Sequence, residues 1–579
     1  MTGVIVAAVY LASGLLSAQN PPTNLQTEQA TNPTTVDDNR PDFRAQNNIS
    51  QGADRFQIQV STNSSFSTIT HWNSPDPTAG GTAFPGGTNN LANGAVCPEI
   101  PYGEGAADLL TIPLLDWNTT YFWRTRFRRR NSGNPWSTFN TTVPPAQFTM
   151  AAPTRAISQQ SNNGSSSGFS WRFIGVPIAI GTTVPATELL AEVPLLYRLD
   201  EPSRSWIQMT SSDVLEGGRG YIGWCDATAI LTLSQGKVMA GVPPVKSGSV
   251  TTTPSYLYTN LFPYTTNGVQ TGQEITDNVP ADTYAGNVLF ANPFYAPISW
   301  RSSTQPPNGQ FGHIARLNIS FSLFKWNGSQ YLTYNSQSDT GSAGDRIEPF
   351  QAVGVWVLGP SYEFWIDTPA PMSGGPQDVS FAPAPPPVSD ADHWKLLLEA
   401  RSGSAIDTEN AFGIDPQADD EWDVRDSEEP GAGSPTWVLV SMDHSGWSKN
   451  GRKYTHDFRK TRSKAGDEIV WTFTVDGNTN LPATLTWPNL SSIPAADWKL
   501  TLEDPATSTV LDLSTASSYD TQPVTGPKTM TLRATRLTDA PVSGGSSSSS
   551  GGSCGLLGPE GLFLAGWILA RRRAKMRRA

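Results

Sequence analysis

Along much of this chain apolar and polar residues alternate with the two-residue period of half-buried strands. Phe56, Ile58 and Val60 alternate with Gln57 and Gln59, and Tyr121, Trp123, Thr125 and Phe127 alternate with Arg124, Arg126 and Arg128. Successive side chains of a strand point to opposite sides, so the second run predicts a strand with an aromatic inner face and a cationic outer one. Runs at 394–398, 437–441, 471–475, 483–487, 498–502 and 529–534 are also strand-like and lie at sandwich spacing. Long windows of helical period are absent, so the chain is expected to be all-β. Residues 4–16 and 556–570 break the alternation as nearly continuous apolar runs.

The interior divides into three segments. In segment 21–152, Leu115 is followed six residues later by Tyr121. That is the spacing of a tyrosine corner, in which the hydroxyl ties back to the chain before its own strand. Segment 169–378 reads as two degenerate copies of one β unit. Leu196-Tyr197-Arg198-Leu199 can be laid on Leu323-Phe324-Lys325-Trp326, and 215–224 on 347–356. Each half also opens on a strand running into a proline turn, Ile174-Gly175-Val176-Pro177 and Leu289-Phe290-Ala291-Asn292-Pro293. A stiff Pro-rich linker, 379–389, leads to segment 390–536, and a flexible Ser/Gly linker, 537–553, follows it.

Composition narrows the class. A chain of 579 residues has room for about three or four domains. Its 47 Pro, 51 Gly and 16% charged residues suit a turn-rich β protein. Cys97, Cys225 and Cys554 fall in three different parts of the chain, which gives neither a disulfide framework nor a metal-ligand spacing. Stability therefore has to come from sizeable cores. A formal net charge of −12 argues against nucleic acid as a partner.

Candidate chemistry is sparse. His71, His313, His393, His444 and His456 include no i, i+4 pair, which removes a zinc-protease helix. There is no phosphate loop ending in Lys-Ser or Lys-Thr and no nucleophile elbow. Asp200, Glu201 and the acids of 345–348 occupy turn-like positions, and Asp457 with Arg459 reads as an exposed pair on a strand. The arginine row reads as a solvated strand face or as a surface for an acidic glycan. Residues 406–429 hold ten acidic residues against the lone Arg425. Such a stretch repels itself into solvent, recruits calcium, or forms a docking surface. Asp407, Asp415, Asp419, Asp423 and Asp426 are the candidate calcium ligands, although the spacing lacks the central glycine of an EF-hand loop. No other cofactor and no catalytic group is expected.

The two ends suggest export. Residues 1–18 look like a signal peptide cleaved after Ala18, without a basic n-region. At the other end a Gly/Ser tract leads through Cys554-Gly555 and an apolar run to Arg571, Arg572, Arg573, Lys575, Arg577 and Arg578. As a helix, 555–570 would span roughly 24 Å against a hydrocarbon core of about 30 Å, and snorkelling arginines would extend it. From Gly551-Gly552-Ser553-Cys554-Gly555 onward the tail resembles the tripartite C-terminal sorting signals of bacteria, the PEP-CTERM, GlyGly-CTERM and myxococcal-type families, without the Pro-Glu-Pro triplet of the first. The resemblance implies a transmembrane sorting segment at 554–579, a processing protease, cleavage near Cys554 and transfer to the cell surface. Cys554, Gly555 and Arg571 to Arg573 would carry that signal.

Three further resemblances bear on the interior. Phe56 to Val60, Trp72-Asn73-Ser74, Tyr121-Phe122-Trp123-Arg124 and Pro135-Trp136-Ser137 resemble the fibronectin type III-like domains of secreted bacterial glycosidases such as α-rhamnosidases. There the sandwich accompanies a separate catalytic domain, so the resemblance implies a fold and not hydrolysis. Asn292-Pro293, Ile298-Ser299-Trp300 and Trp326-Asn327-Gly328 resemble an uncharacterised β-rich domain of bacterial surface proteins, and 407–429 resembles part of a β-sandwich module of exported bacterial proteins. The expectation is a tandem β-sandwich protein displayed at a bacterial envelope. Its role is structural or adhesive without enzymatic activity, or alternatively the binding or processing of carbohydrate. The expected partners are the membrane, a processing protease, surface polysaccharide and other envelope proteins.

Overall fold

In this computed structural model the described residues are 19–36, 41–74, 81–104, 112–130, 136–140, 144–159, 169–200, 205–238, short strands within 245–270, 286–295, 297–300, 312–317, 319–327, 330–338, 341–357, 363–366, 390–430, 436–447 and 453–540. The expected signal peptide, the Pro-rich linker and the sorting segment with Cys554, Gly555, Arg571, Arg572 and Arg573 lie outside them. The chain forms one unit up to Thr538, while a second, 539–579, is described only at Asp539 and Ala540. The fold is all-β, with a single α-helical turn at Thr187–Leu190 among the described residues. No described helix is long and apolar enough to cross a membrane.

In the first segment the strand Thr120–Arg129 pairs antiparallel with Ala53–Ser61 on one side and Ala146–Thr149 on the other. A second sheet is built from Thr23–Thr27, Asp42–Gln46 and Ile100–Pro101. The alternation along Thr120–Arg129 is realised residue by residue. Tyr121, Trp123, Thr125 and Phe127 are buried, and the arginines between them are partly exposed. Between the sheets the Phe43 ring lies 4.9 Å from Trp123 and 5.7 Å from Phe148, contacts of about 0.5–1.5 kcal/mol each beyond burial. The Asp116 N–H donates to the Tyr121 hydroxyl at 2.7 Å, which anchors the chain at the entry to this strand.

The middle segment contains two four-stranded sheets of the same strand order. One runs Phe169–Ile174, Tyr221–Asp226, Leu195–Asp200, Ser205–Gln208, and the other Gly286–Ala291, Ala352–Val357, Ile319–Trp326, Tyr331–Asn335. Residues that align in sequence make the same pairings. Leu196 opposes Gly223 and Tyr197 opposes Ile222, while Leu323 opposes Val355 and Phe324 opposes Gly354. The halves also exchange reciprocal bonds. Gly175 N donates to the Phe350 carbonyl at 3.0 Å, and Ala291 N donates to the Gly218 carbonyl at 2.9 Å. Gly218 and Phe350 share a left-handed backbone, at φ +83° and +62°. Reciprocal contacts of this kind are those of a two-fold axis. Small residues meet on it: a Cβ on Gly175 would lie 2.2 Å from the Cβ of Ala291, and one on Gly220 would lie 2.8 Å from the Cβ of Ala352.

The third segment is a sandwich in which one strand serves both sheets. Val438–Asp443 pairs with Glu468–Gly477 through its first residues and with Lys453–Arg459 at Met442 and Asp443. Ala405–Ile414 runs parallel to Lys453–Arg459, with Ala411 opposite His456, whereas its other neighbour, Trp394–Ser402, is antiparallel. The segments share buried surface. Trp117 of the first donates its indole N–H to the Pro177 carbonyl at 3.1 Å and packs on the Tyr295 ring at 5.6 Å.

Candidate functional site

The acidic stretch is folded into the molecule at its two ends. Ala405–Ile414 is a strand and Ser427–Glu428 a short pairing segment, while the loop between them, 415–426, keeps Asp419, Asp420 and Glu421 exposed as a solvated acidic loop would. The five proposed calcium ligands are placed apart in role. Asp407 is buried, accepts from Val440 N at 2.7 Å, and is held by burial at a pKa of about 6. Asp415 pairs with Arg425 at 3.0 Å. Asp419 is exposed and donates its backbone N–H to the Asp423 carboxylate, which also accepts from Arg425 N. Asp426 is buried and accepts from Phe458 N and Asp423 N, both at 2.9 Å. Burial first, and then the Asp457 charge, hold its carboxyl well above the usual range. Among the described residues no group of three or more His, Cys, Asp or Glu side chains is arranged to hold a metal ion.

Two further acids of this stretch, Glu409 and Glu428, bind the middle segment, whereas Asp420 is exposed and pairs with Arg462 at 3.1 Å. Glu409 accepts from Thr333 N and Ser342 N, each at 3.1 Å, and from the Ser342 hydroxyl. Glu428 accepts from the Ser320 hydroxyl at 2.9 Å, and Ser322 bonds Ser427 at 2.9 Å. Asn335 donates to the carbonyls of Val424 and Asp426, each at 3.1 Å. Buried carboxylates are tolerated when their acceptor sites are filled, and here polar groups of the neighbouring segment fill them. Glu409 and Glu428 are thus turned inward, onto this chain's own middle segment.

Other acids singled out in the sequence are structural as well. Asp457, expected to be exposed, is fully buried, with Arg459 at 2.6 Å and the His444 ring nitrogen at 2.7 Å. The His444 ring stacks on Trp447 with centroids 3.7 Å apart. Glu348 is buried between Arg155 at 2.9 Å and Arg346 at 2.5 Å, and Asp345 accepts from the Ser299 hydroxyl at 2.7 Å.

The outer face of the first sandwich carries a different arrangement. Arg124 Cζ lies 4.5 Å from the Phe66 ring centre and 4.4 Å from that of Phe139, and Arg126 Cζ lies 4.7 Å from Phe139 and 5.2 Å from Trp136. The arginine row is therefore a ladder interleaved with aromatic rings, each contact contributing about 0.5–2 kcal/mol. The rungs are built by local bonds. Ser137 Oγ accepts from Phe127 N and Asn140 Oδ1 accepts from Thr125 N, which lays the segment carrying Trp136 and Phe139 along the arginine strand. Phe66 is delivered from the other side by a turn in which it adopts φ +53°, uncommon for an aromatic residue. Arg124 and Arg126 donate their Nε–H groups to Gln59 and Gln57, each at 2.7 Å, and both glutamines donate to Asn73 at 3.1 Å. Burial first, and then the charge of Arg126, lower the Arg124 pKa. Arg128 is paired with Asp54. The alternation announced the arginines, but the rungs Phe66, Trp136 and Phe139 come from two loops remote in sequence, and only the Trp-Ser pair hinted at them.

No family model matches this chain, and no curated protein matches it. Among solved structures it is similar to an α-L-rhamnosidase from Dictyoglumus thermophilum, at 12% identity over 61% of this chain and 49% of that one, with a TM-score of 0.16. It is also similar to an α-L-rhamnosidase from Streptomyces avermitilis complexed with L-rhamnose, at 10% identity over 89% of this chain and 57% of that one, again with a TM-score of 0.16. The chain spans about half the length of the solved structures it matches. At that level of superposition the similarity bears on neither fold nor activity.

Proposed function

We propose that this chain is a non-enzymatic structural or adhesive protein displayed at a bacterial envelope. In this reading residues 1–18 direct export, the tandem β segments form the displayed body, and 554–579 are a transmembrane sorting segment recognised by a processing protease. The observation that carries the non-enzymatic part is the use of its chemical groups. The buried carboxylates Asp407, Glu409, Asp426, Glu348 and Asp457 each hold backbone, hydroxyl or cationic partners within the body. Of the tryptophans whose burial is described, only Trp206 is exposed, at 46%, which suits a packed scaffold better than a sugar-stacking platform.

The test is surface proteolysis of cells expressing the full chain. Cleavage of the body on intact cells, lost when Arg571, Arg572 and Arg573 are replaced by Gln, supports display through the tail. A body protected in intact cells and degraded only after lysis overturns it. The second reading, carbohydrate binding, draws on the partly exposed arginine and aromatic ladder.

A further inference from the structure

We propose that the ladder of the first sandwich binds the carboxylate of uronic acid units in an acidic polysaccharide, with Arg124 as the fork that holds it; the proposal rests on the adhesive reading of the chain. Arg124 is prepared for such a role. Rings lie over it at 4.5 and 4.4 Å, and its Nε–H is spent on Gln59, so the planar group is fixed in position. Its two terminal Nη groups have no hydrogen-bond partner among the described residues, and no described carboxylate pairs with it. A guanidinium held flat with a free pair of N–H donors matches a carboxylate in a bidentate manner. The like charge of Arg126 beside it, separated by the Phe139 ring, is relieved when an anion binds.

The surroundings favour a sugar acid over a simple ion. Asn73, exposed beside the ladder, accepts from Gln57 and Gln59 through its oxygen, and its amide nitrogen has no partner among the described residues. A carboxamide donor on the far side of Gln59 from the arginine fork, together with partly exposed rings, matches what a uronate presents: a carboxylate, hydroxyls and an apolar C–H face. The turn that places the Phe66 ring against Arg124 holds that residue in the left-handed region, a conformation uncommon for an aromatic side chain.

The test uses the full-length chain in detergent micelles, titrated calorimetrically with polygalacturonate oligomers, the same oligomers as methyl esters, and a polyaspartate peptide. Saturable binding of the free acid, at least tenfold weaker binding of the ester, and at least tenfold loss in Arg124→Gln with an unchanged unfolding midpoint support the site. Arg124→Lys should fall between the two, because it keeps the charge and loses the fork. Equal binding of acid and ester, or unchanged binding by Arg124→Gln, overturns it, and polyaspartate binding as tightly as the uronate reassigns the face to acidic peptides. The ester comparison is made on the unaltered protein, so it does not depend on how a variant folds. Surface proteolysis is independent of uronate binding: a chain that binds uronate but is not displayed refutes the adhesive reading and leaves the site, and the converse refutes the site alone.

Discussion

At the scale of single residues, two places concentrate consequence. On the axis of the middle segment Gly175 faces Ala291, with no room for two methyl groups. Gly175→Ala should destabilise the protein by about 1–3 kcal/mol through overpacking. Because the two positions are equivalent under the axis, the double variant Gly175→Ala/Ala291→Gly should recover most of the loss. Urea midpoints of the four proteins in this cycle measure the coupling, and strict additivity would count against the close contact. The second place is His456, buried in the third sandwich and held neutral, with its pKa pushed down to about 3 by burial and then by Lys395. Between about pH 3 and the ordinary histidine range the unfolded chain carries a proton there that the folded one does not, so this group's contribution to stability falls as the pH falls. Asp407 acts in the opposite direction: raised to about 6, it holds a proton in the folded state that the unfolded state has lost, and its contribution falls as the pH rises through 6. Replacing His456 by Gln should therefore destabilise the protein less at pH 4.5 than at pH 7, the gap closing by about 1.4 kcal/mol per pH unit below the histidine range. Urea unfolding across that range checks it, and a gap independent of pH would show that His456 ionises in the folded state.

At the scale of elements, the same device recurs. The Tyr121 hydroxyl accepts from Asp116 N, and the Tyr221 hydroxyl accepts from Glu216 N, both at 2.7 Å and both five residues back. In the second copy of the middle unit the equivalent backbone group, Glu348 N, donates instead to the Gln351 side chain at 3.1 Å. Tyr121→Phe and Tyr221→Phe should each cost about 1–2 kcal/mol by leaving a strand-entry N–H without its partner, read from chemical denaturation. The sequence spacing of Leu115 to Tyr121 disclosed the first corner, and Leu215 to Tyr221 repeats it. The ladder depends on an element elsewhere. Gly81, at φ +71°, lies under Trp136, and a Cβ there would meet the indole at 2.5 Å. Gly81→Ala should displace Trp136 from Arg126, seen as a shift in tryptophan fluorescence, while leaving the inner core of Phe43, Trp123 and Phe148 in place.

At the scale of the whole molecule, the segments are coupled by buried polar contacts as well as apolar ones. Glu409 reaches from the third sandwich into the middle segment, so Glu409→Ala leaves Thr333 N and Ser342 N without their acceptor. The expected outcome is a loss of about 2–4 kcal/mol and the splitting of one thermal transition into two, since removing one partner exposes the desolvation cost of the groups that remain. A single transition at an unchanged temperature would show that the joint does not couple the segments.

Much of the architecture was legible along the chain because its causes are local. A two-residue period follows from strand geometry, so the arginine strand, its aromatic inner face and the all-β character could be read directly. The equivalence of the two middle sheets was visible in weakly matching stretches such as Leu196 to Leu199 and Leu323 to Trp326, whose pairings proved equivalent. What the sequence could not decide was which charges are buried and what lies against them. A run of ten acids reads as solvent-seeking when its own neighbours are all that is known. Asp419, Asp420 and Glu421 do stay exposed, but the burial of Glu409 and Glu428 was settled by hydroxyl and backbone donors of the middle segment, roughly 70 to 110 residues away in the chain. The rings that turn an arginine row into a ladder likewise arrive from Phe66 on one side and from Trp136 and Phe139 on the other. Periodicity is a property of the backbone and is written in the sequence, whereas the environment of a charge is set by groups that only folding brings within hydrogen-bond distance.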